Sequence, residues 1–322
     1  MGLHHRSPSD WARAQPPYAH STPRRRSRPR GSSNHPRVRS SPEWGQAMRS
    51  PFDPGPGDEA GAVQRIYAQQ TPPLLPSSAD LAAHEAALAL GSTPLNVLML
   101  GVTPAVYRLP WPPHSAIQAV DRSLPMIQHV WPGPVGSAQV GDWTHLPFPA
   151  ERFDRVISDG GMLFLGPASI DELRTEVARV LRPDGLFVTR VYVWNQSETL
   201  DRLIDDVERG ALSTANEMRI RSWSALQTSL DVGIPLSTAF DELLVRMGSI
   251  ENLVERSGLA AEQFVPFLAT AGSTLRYTMW PTHDIIAAWT SHGDFEHVST
   301  TIPGHQLGSL CPVLAFRRRG PA

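Results

Sequence analysis

The sequence predicts an α/β protein: a seven-stranded, mostly parallel sheet with an antiparallel final strand and a helical insert. Three observations carry that reading. From Asn96 to Val193, short apolar runs alternate with segments of helical period. The first run, Asn96-Val-Leu-Met-Leu100, ends in Gly101-Val-Thr-Pro104, and an acid, Asp121, closes the second run twenty positions after Gly101. Beyond Asn195 the pattern turns helical for nearly a hundred residues, then ends in two short strands.

Taken in order, residues 1–58 are rich in Pro, Ser and Arg, have no apolar period, and read as a disordered tail. Residues 59–70 read as a short helix carrying Ile66 and Tyr67, and Thr71-Pro-Pro-Leu-Leu-Pro76 as a linker. Ser78 is the expected cap of an Ala-rich helix, 79–90, stopped by Gly91, with His84 on the apolar face of Leu81 and Leu88 as a packed core residue.

Strands follow at 96–100, 116–120, 137–140 and 154–159. Between the first two, Pro104, Pro110, Pro112 and Pro113 leave room for barely two helical turns. Ser169-Ile-Asp-Glu172 has the form of a capping box. It opens a helix whose Leu173, Val177, Val180 and Leu181 make one stripe, and Pro183 and Gly185 end it before a fifth strand, 186–193. The expected organisation is therefore a core over 59–195, a helical cap over 196–282, and a return to the sheet over 283–322. That return holds a crossover helix near 283–289 and antiparallel strands at 297–302 and 311–316.

Bulk composition removes several function classes. All 29 basic residues are arginine. Without lysine there is no Schiff-base lysine and no phosphate-loop lysine. The lone Cys311 excludes an internal disulfide and a cysteine-cluster zinc site, so no metal is expected and a reducing, cytoplasmic setting fits. No apolar run reaches the roughly 18–20 residues that cross a bilayer, and no secretion signal is visible. Residues 1–50 hold 10 Arg against two acids, a balance of +8, which leaves −10 for the rest. Residues 195–295 hold 7 Arg and 14 acids, a balance of −7. A nucleic-acid reader needs the opposite sign, so nucleic acid is an unlikely partner outside the basic tail.

The candidate site lies where the parallel strands end. Gly101 permits close backbone approach, Thr103 is a good N-cap, and Pro104 suits the first helical position. Asp121, ending the second strand, is placed to accept both hydroxyls of a ribose. Gly-x-Gly-x-x-Gly is absent after the first strand, where the sequence has Gly-Val-Thr-Pro-Ala-Val, which argues against a nicotinamide dehydrogenase.

The order Leu-Gly, then Val120-Asp121-Arg122-Ser123, then Gly141-Asp142-Trp143 with Leu146-Pro-Phe148, then Phe153-Asp154, then Glu176-x-x-Arg-Val-Leu-x-Pro-x-Gly185 resembles the class I methyltransferases that use S-adenosylmethionine. The type 11-like small-molecule branch is the most similar, over about residues 94–193. The resemblance implies a Rossmann-like fold and S-adenosyl-L-methionine as cofactor. It implies that Gly101, Val102 and Thr103 line the methionine end, and that Asp121 holds the ribose with Arg122 beside it. Asp142 would accept from the adenine amino group, Trp143 would pack on the ring, and Ser158, Asp159 and Gly160 would face the sulfonium. Asp159 is then the candidate general base, and Tyr192 and Trp194 candidates for an acceptor pocket. Met99, Thr103 and Ala105 stand where the family has an acid and two glycines, and Tyr67 is placed to fold over the end left open. Two readings follow: methyl transfer to a small, largely apolar acceptor, or a non-catalytic relative that keeps the sheet.

Overall fold

In the computed structural model of the protein, residues 67–68, 70–273 and 275–320 are described. The expected tail, and all but three residues of the expected first helix, lie outside them. A first helix, α1 (Ser78–Leu88), packs beside a sheet whose strands are β1 (Asn96–Leu100), β2 (Ala116–Asp121), β3 (Ala138–Val140), β4 (Phe153–Asp159) and β5 (Leu181–Arg190). The cap holds two short strands, β6 (Ile234–Pro235) and β7 (Arg276–Tyr277), and after it β8 (Phe295–Thr301) and β9 (Val313–Arg318) complete the sheet. The order is β3-β2-β1-β4-β5-β9-β8. Neighbours from β3 to β5 are parallel, while β9 runs antiparallel to both β5 and β8. The predicted seven-stranded sheet with an antiparallel final strand is what forms.

Sequence chemistry explains the layering. Val97, Leu98, Met99 and Leu100 of the central strand are all buried, as a parallel strand covered on both faces must be. Met99 and Val97 face α1, with Ala83, Ala87 and Leu88. Leu98 and Leu100 face the other layer, built on Ile170, Leu173, Val177 and Val180 of a helix spanning Pro167–Val180 and on Trp289. Trp289 stacks on Phe187 of β5 with ring centroids 4.2 Å apart.

Three local expectations are corrected. Helix α1 is capped by Ser77, not Ser78: the Ser77 hydroxyl accepts from Asp80 N and Asp80 accepts from Ser77 N, and Ala89 in the left-handed region, not Gly91, ends it. The helix Pro167–Val180 starts before Ser169, because Pro167 is preorganised for the first helical position; its N-cap, Gly166, makes no side-chain cap. Leu181 leaves that helix to pair with Phe153, and the register then jumps to Arg155 opposite Leu186. The strand closes at Arg190, and Val193 keeps only an isolated bridge to Trp280.

Between β5 and β8 the chain is mostly helical: Leu200–Glu208, Ala215–Leu226, Leu236–Met247 and Ile250–Ser257, with a two-residue ladder joining Ile234–Pro235 to Arg276–Tyr277. These helices share an apolar cluster around Leu203, Trp223, Phe240 and Phe267. A helix at Thr282–Thr290 returns the chain to the sheet. No helix among the described residues is long and apolar enough to cross a membrane.

Candidate active site

The site grows from the end of β1. Gly101 (φ +96°) turns the chain, and its N–H donates to Val120 O at 2.9 Å. Asp121 reaches across to the same turn: Oδ2 accepts from Val102 N (3.0 Å) and Oδ1 from Ser123 N (2.8 Å). Burial pushes the Asp121 carboxyl up, and the backbone donations from Ser123, Val102 and Arg122 offset only part of that. Each oxygen keeps a lone pair for a further donor. The expected cap at Thr103 does not form. Its backbone is extended, its hydroxyl caps nothing, and the helix after it, Pro104–Tyr107, is a single turn.

Trp143 reaches into this corner from the loop after β3. Its indole N–H donates to Val120 O (2.8 Å). The ring lies between two glycines: a Cβ on Gly101 would meet it at 3.4 Å and one on Gly161 at 2.5 Å. Gly161 therefore makes room for the indole, whereas a Cβ on Gly101 would meet the ring at ordinary contact distance, and that glycine answers to its left-handed φ.

A cavity of about 560 Å³ opens at this rim. Gly101, Val102, Thr103, Asp121, Arg122 and Trp143 line it, with Asp159, Gly160 and Tyr192, and Tyr67 borders it too. Burial first, and then the charge of Asp159, push the Tyr67 hydroxyl up to about 12.

Three expected residues are not brought in. Asp142 turns its Oδ1 back to Thr144 N and gives Oδ2 to Arg122 (2.8 Å), a half-exposed pair. Ser158 is buried behind the rim with its hydroxyl unpaired. Trp194 donates to Ser224 O and borders a separate shallow cleft with Asn195 and Pro281.

Asp159 also departs from the role expected of it. Its carboxylate is gripped by the fully buried Arg190, Nε to Oδ1 at 2.6 Å and Nη2 to Oδ2 at 3.2 Å. A carboxylate held that way is a structural anion rather than a free base. Arg190 goes on to donate to Pro73 O (2.7 Å), lies 3.5 Å from Asp80, and meets the Tyr192 hydroxyl at 3.2 Å. Tyr192 donates in turn to Pro73 O and Leu74 O. Burial alone would lower the Arg190 guanidinium, but Asp159, Tyr192 and Asp80 together hold it above its ordinary value. His84 adds Nδ1 against Asp80 O (2.9 Å), and its Nε2 sits 3.8 Å from Asp159 without a hydrogen-bond partner. Segment 71–76 is therefore no free linker. It is strapped over the cavity by buried donors, with Leu74 and Leu75 in the wall.

Sequence reasoning missed Arg190, Asp80 and Arg219. Arg190 carried a signal: a charge inside the apolar run Leu186-Phe-Val-Thr-Arg-Val-Tyr192 must be paired if the strand is buried. Among the described residues no group of three or more His, Cys, Asp or Glu could hold a metal ion.

Residues 99–189 match the family model described as a methyltransferase domain. No curated protein matches the sequence. Among solved structures, an S-adenosylmethionine-dependent methyltransferase from Mesorhizobium loti is 13% identical, covering 75% of this chain and 99% of that one, with a TM-score of 0.46. A zinc-dependent alcohol dehydrogenase from Rhodobacter sphaeroides is 12% identical over 76% and 91%, with the same score of 0.46. The 1,6-didemethyltoxoflavin-N1-methyltransferase of Burkholderia thailandensis, solved with its substrate and S-adenosylhomocysteine, is 13% identical over 88% and 92%, at 0.41. Likeness at that level carries no weight beyond itself. The family match runs from β1 to β5 and stands on its own: residues 99–189 of this chain match a methyltransferase domain.

Proposed function

We propose that the protein transfers the methyl group of S-adenosylmethionine to a small, largely apolar acceptor. The observation that carries this reading is the corner where Asp121 ties the Gly101 turn to the end of β2 beside an open cavity. Open α/β sheets take ligands at the carboxyl ends of their strands. Bound there, the cofactor supplies an electrophilic methyl group on a positively charged sulfur. The protein's part is to orient the two reactants and keep water out. Leu74, Leu75, Leu163, Phe164 and Leu275 give the cavity apolar walls, which suits a small apolar acceptor.

The only carboxylates that line the cavity among the described residues are Asp121 and Asp159, and both are engaged. No free base is offered, so the acceptor atom is one that already carries a usable lone pair or charge near neutral pH.

Calorimetry with S-adenosylhomocysteine tests the assignment. Saturable heat from the wild type is expected. Asp121→Ala frees two backbone N–H groups and slackens the turn, so affinity should fall about tenfold or more, equivalent to about 1.4 kcal/mol or more. Unchanged affinity in that variant would remove Asp121 from the site. A second reading has its own observation: Trp143 stands between the two turns and Arg122 closes on Asp142, as in a relative that keeps the sheet without using the cofactor. Silence from both wild type and Trp143→Ala would favour it. Heat from Trp143→Ala alone would mean a cofactor site closed by its own tryptophan.

A further inference from the structure

Three arginines are buried among the described residues: Arg174, Arg190 and Arg219. Arg174 meets Asp294, and Arg190 meets Asp159 and Asp80. Among the described residues Arg219 meets no carboxylate. It is 3% exposed and borders the cavity from the helix Ala215–Leu226 of the cap. Its Nη1 reaches only neutral amide oxygens, Asn216 Oδ1 at 3.1 Å and Gln70 Oε1 at 3.5 Å, and its Nε has no acceptor. Trp223 and Phe267 lie under the guanidinium at 5.2 and 5.7 Å, and these faces support a cation without neutralising it.

The acids of this region have gone elsewhere. Two positions along the same helix, Arg221 takes Glu198 (2.9 Å), Asp206 (2.7 Å) and Glu217 (3.6 Å). A buried cation without an anion is costly, and beside an open cavity it favours an entering group of opposite charge. Among the described residues, the side chains that hydrogen-bond to Arg219 or face its guanidinium as rings are Asn216, Trp223 and Phe267 of the cap, and Gln70.

We propose that Arg219 is the seat of a carboxylate on the methyl acceptor, so that the substrate is a small acid with an apolar or aromatic body. The carboxylate meets the guanidinium at the cap end, while Leu163, Phe164 and Leu275 take the apolar part. Arginine suits the task because its planar fork matches a carboxylate and stays charged where burial would discharge a lysine. The proposal rests on the methyl-transfer reading for the word acceptor, but the anion seat can be tested apart from it.

The test uses the full chain and a matched panel of aryl and alkyl carboxylates with their primary amides. Binding is followed by ligand-observed NMR with and without S-adenosylhomocysteine, for wild type, Arg219→Gln and Arg219→Met. Carboxylates should bind the wild type about tenfold or more tighter than their amides, a difference of about 1.4 kcal/mol. Both variants should lose that preference and keep their affinity for S-adenosylhomocysteine. Arg219→Met, which removes a buried unpaired charge, should also melt no lower than wild type. Equal binding of acids and amides, or a silent panel while S-adenosylhomocysteine binds, overturns the proposal. So does a parallel loss of S-adenosylhomocysteine in both variants, since the guanidinium would then hold the cofactor's own carboxylate. Carboxylate binding without any S-adenosylhomocysteine binding keeps the anion seat and removes methyl transfer, and silence from both removes both.

Discussion

Arg190→Ala should destabilise the fold by about 3–5 kcal/mol, read as a lower urea midpoint, the range found when one partner of a buried ion pair is removed. The variant leaves Asp159 without its guanidinium partner, and it takes a donor from Pro73 O and from the Tyr192 hydroxyl. Asp80 suffers less. Burial alone would raise its carboxyl, but Arg190, Ser77 and His305 together hold it below the usual range, and the last two remain. The pH dependence has a definite sign. In the wild type burial lowers His84, and Arg190 adds to that against the pull of Asp159. Without Arg190 the pull of Asp159 is opposed less, so the folded state takes up the imidazole proton more readily. The deficit of the variant should therefore narrow as pH falls through the imidazole range, ~6.5. Arg190→Met combined with Asp159→Asn removes both charges and should recover most of the loss. A urea midpoint equal to wild type in Arg190→Ala, or a deficit that widens on acidification, would show that the network carries little weight.

The parts of the fold legible in the sequence are those set by period and by strand ends. Val97 to Leu100 read as a strand because no polar residue interrupts them, and Asp121 could be placed because the end of β2 fixes where a carboxylate emerges. Leu181 shows where period fails. It is buried whether it ends the helix or begins β5, so its apolar character cannot locate the boundary. Asp142 fails for another reason. The end of β3 fixes where it leaves the sheet, but the direction of its side chain is set by Thr144 and Arg122, contacts that belong to one loop conformation. Arg219 was visible as a residue throughout. What matters about it is the absence of a facing acid, and that depends on Glu217 turning to Ser213 and Arg221, which no spacing along the helix announces.

The wedge between the two glycine turns makes the second large prediction. Trp143→Ala removes an indole that touches Gly101 and Gly161 and donates to Val120 O, and should cost about 3 kcal/mol, the lower end for a large aromatic because the ring is only partly buried. Gly161→Ala attacks the same contact from the other side. The backbone of Gly161 is not left-handed, so an added Cβ strains nothing locally. Its cost is collision: 2.5 Å to the Trp143 ring and 2.9 Å to the Ser158 hydroxyl, worth about 1–3 kcal/mol of overpacking. If the ring is the obstacle, the two costs cannot add. In the Trp143→Ala background the methyl of Gly161→Ala enters vacated space, and the double variant should be more stable than the sum of the singles predicts by about 1–2 kcal/mol, within the range for residues in contact. Urea titration of the four proteins gives that coupling directly. Additive costs would mean that Gly161 is needed for its backbone or for Ser158, and that the indole does not hold the two turns apart.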